Sequence, residues 1–228
     1  MVPDGRTEIA RGRASVVYDL GDGTVLRRCL DAGADVAYEA EVMEHAHAHG
    51  VPTPRVFAAD GTDMRMERLR GVTMLQDLAH HPEHAEQHGR TLADLHGVLD
   101  RVPAMKPADA HHHLLHLDLH PGNVMMTPSG PVLFDWTNAA PGPRELDVAT
   151  TWLILACMGV DEAGATGNTT MRARLLEGFL DGIDEARVRP VLPTAGRARL
   201  ADPATTAVER ARLAAFVTTV STRRAHEA

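Results

Sequence analysis

The chain has 228 residues, 44% hydrophobic and 24% charged, an ordinary globular balance sized for one good domain or two small lobes. Its formal net charge of −8 lacks the basic footprint of a general nucleic-acid binder and is compatible with a cationic substrate. Cys29 and Cys157 form no metal or redox motif, and aromatics are only 4%. There is no leader pattern and no apolar run of about 18 residues, so the expectation is an aliphatic core in a cytoplasmic protein with no nucleic-acid or membrane partner.

In chain order, residues 1 to 66 read as a small sheet with one helix. The stretch from Glu8 to Ser15 leads into Val16, Val17 and Tyr18. Gly21-Asp22-Gly23 is hairpin-turn chemistry, and Thr24 to Leu30 is the next strand. A helix of about Asp35 to His49 carries Val36, Ala40, Met43 and Ala46/His47 at helical spacing, and the stretch from Gly50 to Pro54 ends it. Val56 to Ala58 and Met64 to Met66 are short strands around Asp60-Gly61, and Glu67 to Gly71 is a linker. From Thr73 the chain is mostly helical: Met74 to Leu78, then Pro82 to Leu99 with Leu92, Leu95, His96 and Leu99 on one stripe. His96 there reads as a packed core histidine. Val102 to Asp109 is a loop, as is Asn138 to Glu145. Asp147 then opens an apolar helix, Val148 to Met158, where an N-cap role suffices to explain it. Two or three helices close the chain, Met171 to Leu180 and about Ala207 to Thr222 being the clearest.

The chemistry is concentrated between His116 and Trp136. His116 to Asn123 reads His-Leu-Asp-Leu-His-Pro-Gly-Asn. Val124 to Met126 and Val132 to Phe134 are apolar runs around Pro128-Ser129-Gly130, which makes a β-hairpin. A hairpin brings its ends together, so Asn123 and Asp135 finish on the same side. With strands about 5 Å apart, both side chains can reach one cation. Their hard oxygens suit Mg²⁺, which takes one or two such ligands and completes its shell with water and phosphate oxygens. Asp118, on the tight loop before the hairpin, can accept the proton of an attacking hydroxyl. That is the layout of phosphoryl transfer. A surface loop with chance His and Asp residues leaves the spacing unexplained. Zinc is a competing use for His111, His112, His113, His116 and His120. It needs about four convergent ligands, whereas neighbours in extended chain point alternately apart.

His116, Asp118, Leu119 and Asn123 match the kinase catalytic loop H-R-D-L-x-x-x-N, and Asp135 stands where the Asp of D-F-G stands. With His-x-Asp-Leu-His-Pro-Gly-Asn followed by Phe-Asp-Trp, the chain resembles the aminoglycoside phosphotransferase family of small-molecule kinases. The resemblance implies an α+β, two-lobed protein-kinase-like fold: a small N-terminal antiparallel sheet plus helix over residues 1–66, a hinge at 67–71, and a larger, mostly helical lobe over 72–228. It implies ATP as donor, Mg²⁺ held by Asn123 and Asp135, Asp118 as catalytic base and His116 bracing the loop. Asp147 resembles the family's Asp that bonds backbone near that loop.

The same resemblance places Gly12 in the hairpin that covers the phosphates, although only this one glycine is present. It places Arg27 where the strand lysine is expected. Arg27 shares a face with Val25 and offers a planar fork rather than a point charge; two exposed arginines, Arg27 and Arg28, are the plain alternative. Glu39 maps onto the helix glutamate that pairs with the strand cation, with Glu41 and Glu44 as neighbours. The adenine edge is expected at backbone groups near Glu67 and Leu69. In this family the C-terminal helices build much of the acceptor pocket. There Asp161, Glu162, Glu177, Asp181, Asp184 and Glu185 either meet an amine or, for most of them, solvate helices. Two functions are compatible with these residues. One is an ATP- and Mg²⁺-dependent kinase acting on a hydroxyl of a small molecule such as an aminoglycoside, another antibiotic, an amino alcohol or a sugar amine. The other is a nucleotide-binding module without turnover.

Overall fold

The computed structural model describes residues 7–105, 111–157, 169–201, 205, 207 and 210–216. The first body is an antiparallel sheet of β1 (Thr7–Arg11), β2 (Ser15–Asp19), β3 (Thr24–Cys29), β4 (Val56–Asp60) and β5 (Asp63–Glu67), in spatial order β1-β2-β3-β5-β4. Helix α1 (Ala37–Ala48) crosses over between β3 and β4. Alternation gives the sheet two faces. Val16, Tyr18 and Leu26 form a small apolar cluster on one. Val25, Arg27, Met64 and Met66 share the other, because Arg27 pairs with Met64 and Val25 with Met66.

The second body starts with β6 (Val72–Thr73) and α2 (Met74–His80). Thr73 and Gln76 cap α2 reciprocally: Thr73 Oγ1 accepts the Gln76 N–H and the Gln76 amide oxygen accepts the Thr73 N–H. A 3₁₀ turn at Pro82–His84 leads into α3 (Ala85–Leu99), so the expected long helix is two pieces. Strand β7 (His113–Leu115) follows, then the hairpin β8 (Val124–Thr127) and β9 (Gly130–Leu133). Strand β10 (Ala140–Gly142) pairs with β7, and α4 runs over Arg144–Cys157. Helices α5 (Thr169–Asp181), α6 (Glu185–Val188) and α7 (Leu192–Ala201) complete the named elements, with residues 210–216 also helical.

Two further details differ from the sequence reading. The stretch read as loop before Asp147 contains β10 and the first turn of α4, because Pro143 can start a helix and its carbonyl accepts the Leu146 N–H at 2.9 Å. Asp147 is therefore a first-turn residue rather than the N-cap, and its carboxylate points at the loop after β7. Met158 and half of the expected last helix lie outside the described residues.

The core is largely aliphatic. Met43, Met64, Met74, Leu92, Leu119, Leu133 and Leu153 are buried, with Trp136, Trp152 and Phe179 as its large aromatics. α4 is buried over nearly its whole length from Asp147 to Leu155, which requires neighbours on all sides. α3 and α5 cross glycine to glycine. A Cβ on Gly89 would lie 2.2 Å from the Leu175 carbonyl oxygen, and one on Gly178 would lie 2.1 Å from that of Glu86. Only glycine on both helices permits so close an approach.

Candidate active site

The hairpin does bring its ends together. The Phe134 N–H donates to the Asn123 carbonyl at 3.0 Å, so Asp135 follows directly on the residue opposite Asn123. The Asn123 amide nitrogen donates to the Asp118 carbonyl at 2.9 Å and reaches Asp118 Oδ2 at 3.3 Å, leaving the amide oxygen as its ligand end. Asp135 Oδ1 accepts from the Thr137 hydroxyl at 2.9 Å. Leu117 and Asp135 have φ of 60° and 65°, a region non-glycine residues enter at a cost and keep only where their surroundings hold them.

Those surroundings are visible. Asp147 accepts the N–H groups of Leu117 at 2.7 Å and His116 at 3.1 Å, which clamps the loop from below. Burial pushes the Asp147 carboxyl up, against the opposing pull of His116 and the two amides. Burial likewise pushes the His116 imidazole down, against Asp147, Asp118 and Asp135. A neutral ring fits both of its bonds: one nitrogen accepts the Asp118 N–H at 3.3 Å and Nε2–H donates to the Phe134 carbonyl at 3.3 Å. The Trp136 ring packs on His116 at 4.8 Å between centroids.

A second brace comes from residues that carry no motif. The Thr151 hydroxyl donates to the Leu119 carbonyl at 2.9 Å, and His96 Nε2 donates to the same hydroxyl oxygen at 2.9 Å. His96 is only 3% exposed, and burial lowers its pKa to about 4. It is a core histidine, and it also supports the loop. Its apolar stripe was legible in the sequence; its tie to Thr151, 55 residues away, was not.

On the sheet side, Arg27 turns inward and pairs with Glu39 at 2.6 Å, both side chains being largely buried. Its second nitrogen reaches the Thr137 hydroxyl at 3.3 Å. Arg27, Thr137 and Asp135 thus form one chain of contacts. Burial acts to lower the Arg27 pKa, but Glu39 first and Asp135 second outweigh it, so the net direction is up. The other Glu39 oxygen accepts the Trp136 N–H at 3.2 Å. Arg28 faces away and pairs with Asp63 at 2.5 Å. Gly12 lies in the β1–β2 turn, its N–H donating to the Ser15 carbonyl at 2.8 Å. The Glu67 N–H donates to the Arg55 carbonyl at 2.8 Å, while Leu69 is partly exposed on the linker. A cavity of about 620 Å³ opens behind that linker, between Val51, Arg68 and Pro128. Glu67 and Leu69 are among the residues that line it, whereas Arg27, Asn123 and Asp135 are not.

The face of Asp118 away from the sheet meets α7. Arg199 Nη1 donates to Asp118 Oδ1 at 2.8 Å, and His120 Nε2 lies 3.8 Å from Oδ2. Sequence reasoning did not single out Arg199, which sits in a segment without a motif, 81 residues from its partner. The acidic candidates lie elsewhere. Glu177, Asp181 and Asp184 are exposed; Asp181 approaches Arg90 at 3.9 Å, Asp184 caps α6, and Glu185 pairs with Arg189 at 2.6 Å. Asp161 and Glu162 are outside the described residues. His113 belongs to β7, and among the described residues the groups that converge tightly enough for an ion are instead Asp77, His84 and His88, and His81, Glu83 and His84.

A family model described as "Phosphotransferase enzyme family" matches residues 5–113 and 97–191. A search of curated protein sequences finds no match. Among solved structures, an aminoglycoside phosphotransferase, APH(4)-Ia, is 15% identical with a TM-score of 0.60, covering 94% of this chain and 93% of its own. The amicoumacin kinase hAmiN, in complex with AMP-PNP, Ca²⁺ and Ami, is 13% identical with a TM-score of 0.57, covering 97% of this chain and 89% of its own. A Plasmodium vivax ethanolamine kinase is 12% identical with a TM-score of 0.60, covering 94% and 83%. At such identities the structures establish the two-lobed kinase-like fold, and the matched span, most of the chain, establishes that it belongs to the phosphotransferase enzyme family.

Proposed function

We propose that the protein is an ATP- and Mg²⁺-dependent kinase that transfers the γ-phosphate to a hydroxyl of a small molecule. The observation that supports this most is the chain of contacts from Glu39 through Arg27 and Thr137 to Asp135, with Asp118 and Asn123 beside it. In this reading Arg27 is the phosphate-binding cation, Asn123 and Asp135 are the hard oxygen ligands and Asp118 is the base. In this reading residues 67–71 are the hinge between a lobe of 1–66 and a lobe of 72–228. The adenine edge meets the Glu67 carbonyl and Leu69, and the Gly12 turn covers the phosphates.

Arg27 binds the donor phosphates through its fork, and Glu39 fixes its direction. Asn123 and Asp135 suit Mg²⁺ as a hard-oxygen pair; when bound, the ion supplies charge neutralisation on the phosphate oxygens. Asp118 aligns the acceptor hydroxyl and takes its proton as the new O–P bond forms and the bond to the ADP oxygen breaks. His116, Asp147, Thr151 and His96 keep the loop in place. Solved relatives act on an antibiotic (amicoumacin) and on ethanolamine, or bind hygromycin B, so an aminoglycoside, another antibiotic, an amino alcohol or a sugar are the acceptors to try, in a cytoplasmic setting.

The test is turnover: ADP release from ATP and Mg²⁺ against a panel of hydroxylated acceptors, with Asp118→Asn as control. The alternative of a nucleotide-binding module draws on Arg27 in place of lysine and on the single loop glycine. It prevails if nucleotide binds and no acceptor is phosphorylated.

A further inference from the structure

Helix α7 turns one face to the core, with Leu192, Ala195 and Gly196 buried. Arg199 continues that face at the i+3 and i+4 positions, where the stripe calls for an apolar side chain. Its guanidinium instead enters the site and grips Asp118, the pair being only 15% and 19% exposed. The Thr205 hydroxyl donates to the Arg199 carbonyl at 2.8 Å, which fixes the helix end that delivers it. Asn123 and His120 stand on the other oxygen, so a hydroxyl approaching Asp118 must displace or share the place of Arg199.

Resting on the kinase reading above, we infer that Arg199 is the anion-binding subsite of the acceptor pocket. It takes a carboxylate or phosphate that the acceptor carries close to its reacting hydroxyl, and releases Asp118 to that hydroxyl as it does so. The guanidinium is a planar fork matched to both anions. An ammonium-bearing acceptor would instead meet a fixed positive charge beside the base. Glu177, Asp181 and Asp184 are exposed, and Glu185 pairs with Arg189, so these four acids are engaged elsewhere. Among small-molecule hydroxyl acceptors, this subsite favours a hydroxy acid or a phosphorylated alcohol over the amines.

The experiment uses the full chain with ATP and Mg²⁺ and matched acceptors: glycerate and glucose 6-phosphate as the two anion types, glycerol and glucose as neutral counterparts, and serinol and glucosamine as amines. Wild type is expected to favour at least one anion type by about tenfold or more in kcat/KM, the scale of one charged hydrogen bond. Arg199→Gln should erase that preference through KM, and Arg199→Lys should restore part of it. A preference for amines, or an anion preference that survives Arg199→Gln, overturns the subsite. So does an equal kcat loss for every acceptor at unchanged KM, which would put Arg199 on the transferring phosphate. Retained ATP binding shows that the variants are folded. If no acceptor turns over, calorimetric titration of the same anions decides. Binding lost in Arg199→Gln keeps the subsite while the kinase reading fails; no Arg199-dependent binding removes both.

Discussion

The loop from His116 to Asp135 and the end of α7 meet at one carboxylate, yet they are held by different means. Within the loop itself, Asn123 bonds Asp118 five residues away, and the hairpin carries Asp135 back toward Asn123. Backbone amides held by Asp147 fix the rest. At α7 a single ion pair spans 81 residues, with no turn or motif to announce it. The difference separates two tasks. In the proposed reading, the metal ligands and the base are written into one short segment, where backbone geometry does much of the placing. Recognition of the acceptor, in the same reading, falls to helices whose approach is decided by tertiary packing.

The comparison can be attacked first where it expects most. Asp135→Ala should abolish Mg²⁺-dependent ATP binding, since it removes the carboxylate next to the phosphates. Titration of ATP with and without Mg²⁺ reads this, and equal affinities in wild type and variant would end the metal role. Asp118→Asn should keep nucleotide affinity and lower turnover by about a hundredfold or more, the scale for a positioned acid–base group. Near-normal turnover would show that Asp118 is not the base. Arg27→Ala should raise the KM for ATP by about tenfold, consistent with one charged hydrogen bond. Arg28→Ala, paired to Asp63 on the other face, should leave it unchanged, and Arg27→Lys should fall between wild type and alanine. Equal effects of the two alanine variants would mean that strand face does not matter.

The smallest effect concerns stability rather than rate. His96 titrates at about 4 in the folded protein and at 6.5 when exposed. A depressed folded value means that the unfolded chain binds the proton first. Its contribution is therefore complete above pH 6.5 and declines as pH falls toward 4, by roughly 3 kcal/mol in all. His96→Gln keeps a donor for Thr151 without the titration, so its melting temperature should fall less between pH 7 and 5 than that of wild type. Parallel curves would assign the acid sensitivity to other groups.

What could be read from the sequence follows the same division. Type and spacing located the loop and hairpin from Asp118 to Asp135, and the two-residue period put Arg27 and Arg28 on opposite faces of β3. The start of α4 was misplaced because turn residues mask the short β10 and the Pro143-led first turn. Thr151 and Arg199 were invisible for another reason. A threonine in an apolar helix and an arginine in an arginine-rich one acquire meaning only from what packs beside them. Most of the acidic residues of α5 and α6 were expected to solvate their helices, and Glu177, Asp181 and Asp184 are indeed exposed.

Glu39 divides its two carboxylate oxygens between Arg27 on the sheet and the Trp136 amide just past Asp135. One side chain on α1 is thus a shared latch. A small roll of that helix would release the strand cation and the hairpin end together, so the two cannot loosen independently. The Trp136 amide should then act as a built-in reporter, its hydrogen exchange slowing whenever Arg27 is locked in place and quickening when α1 swings away.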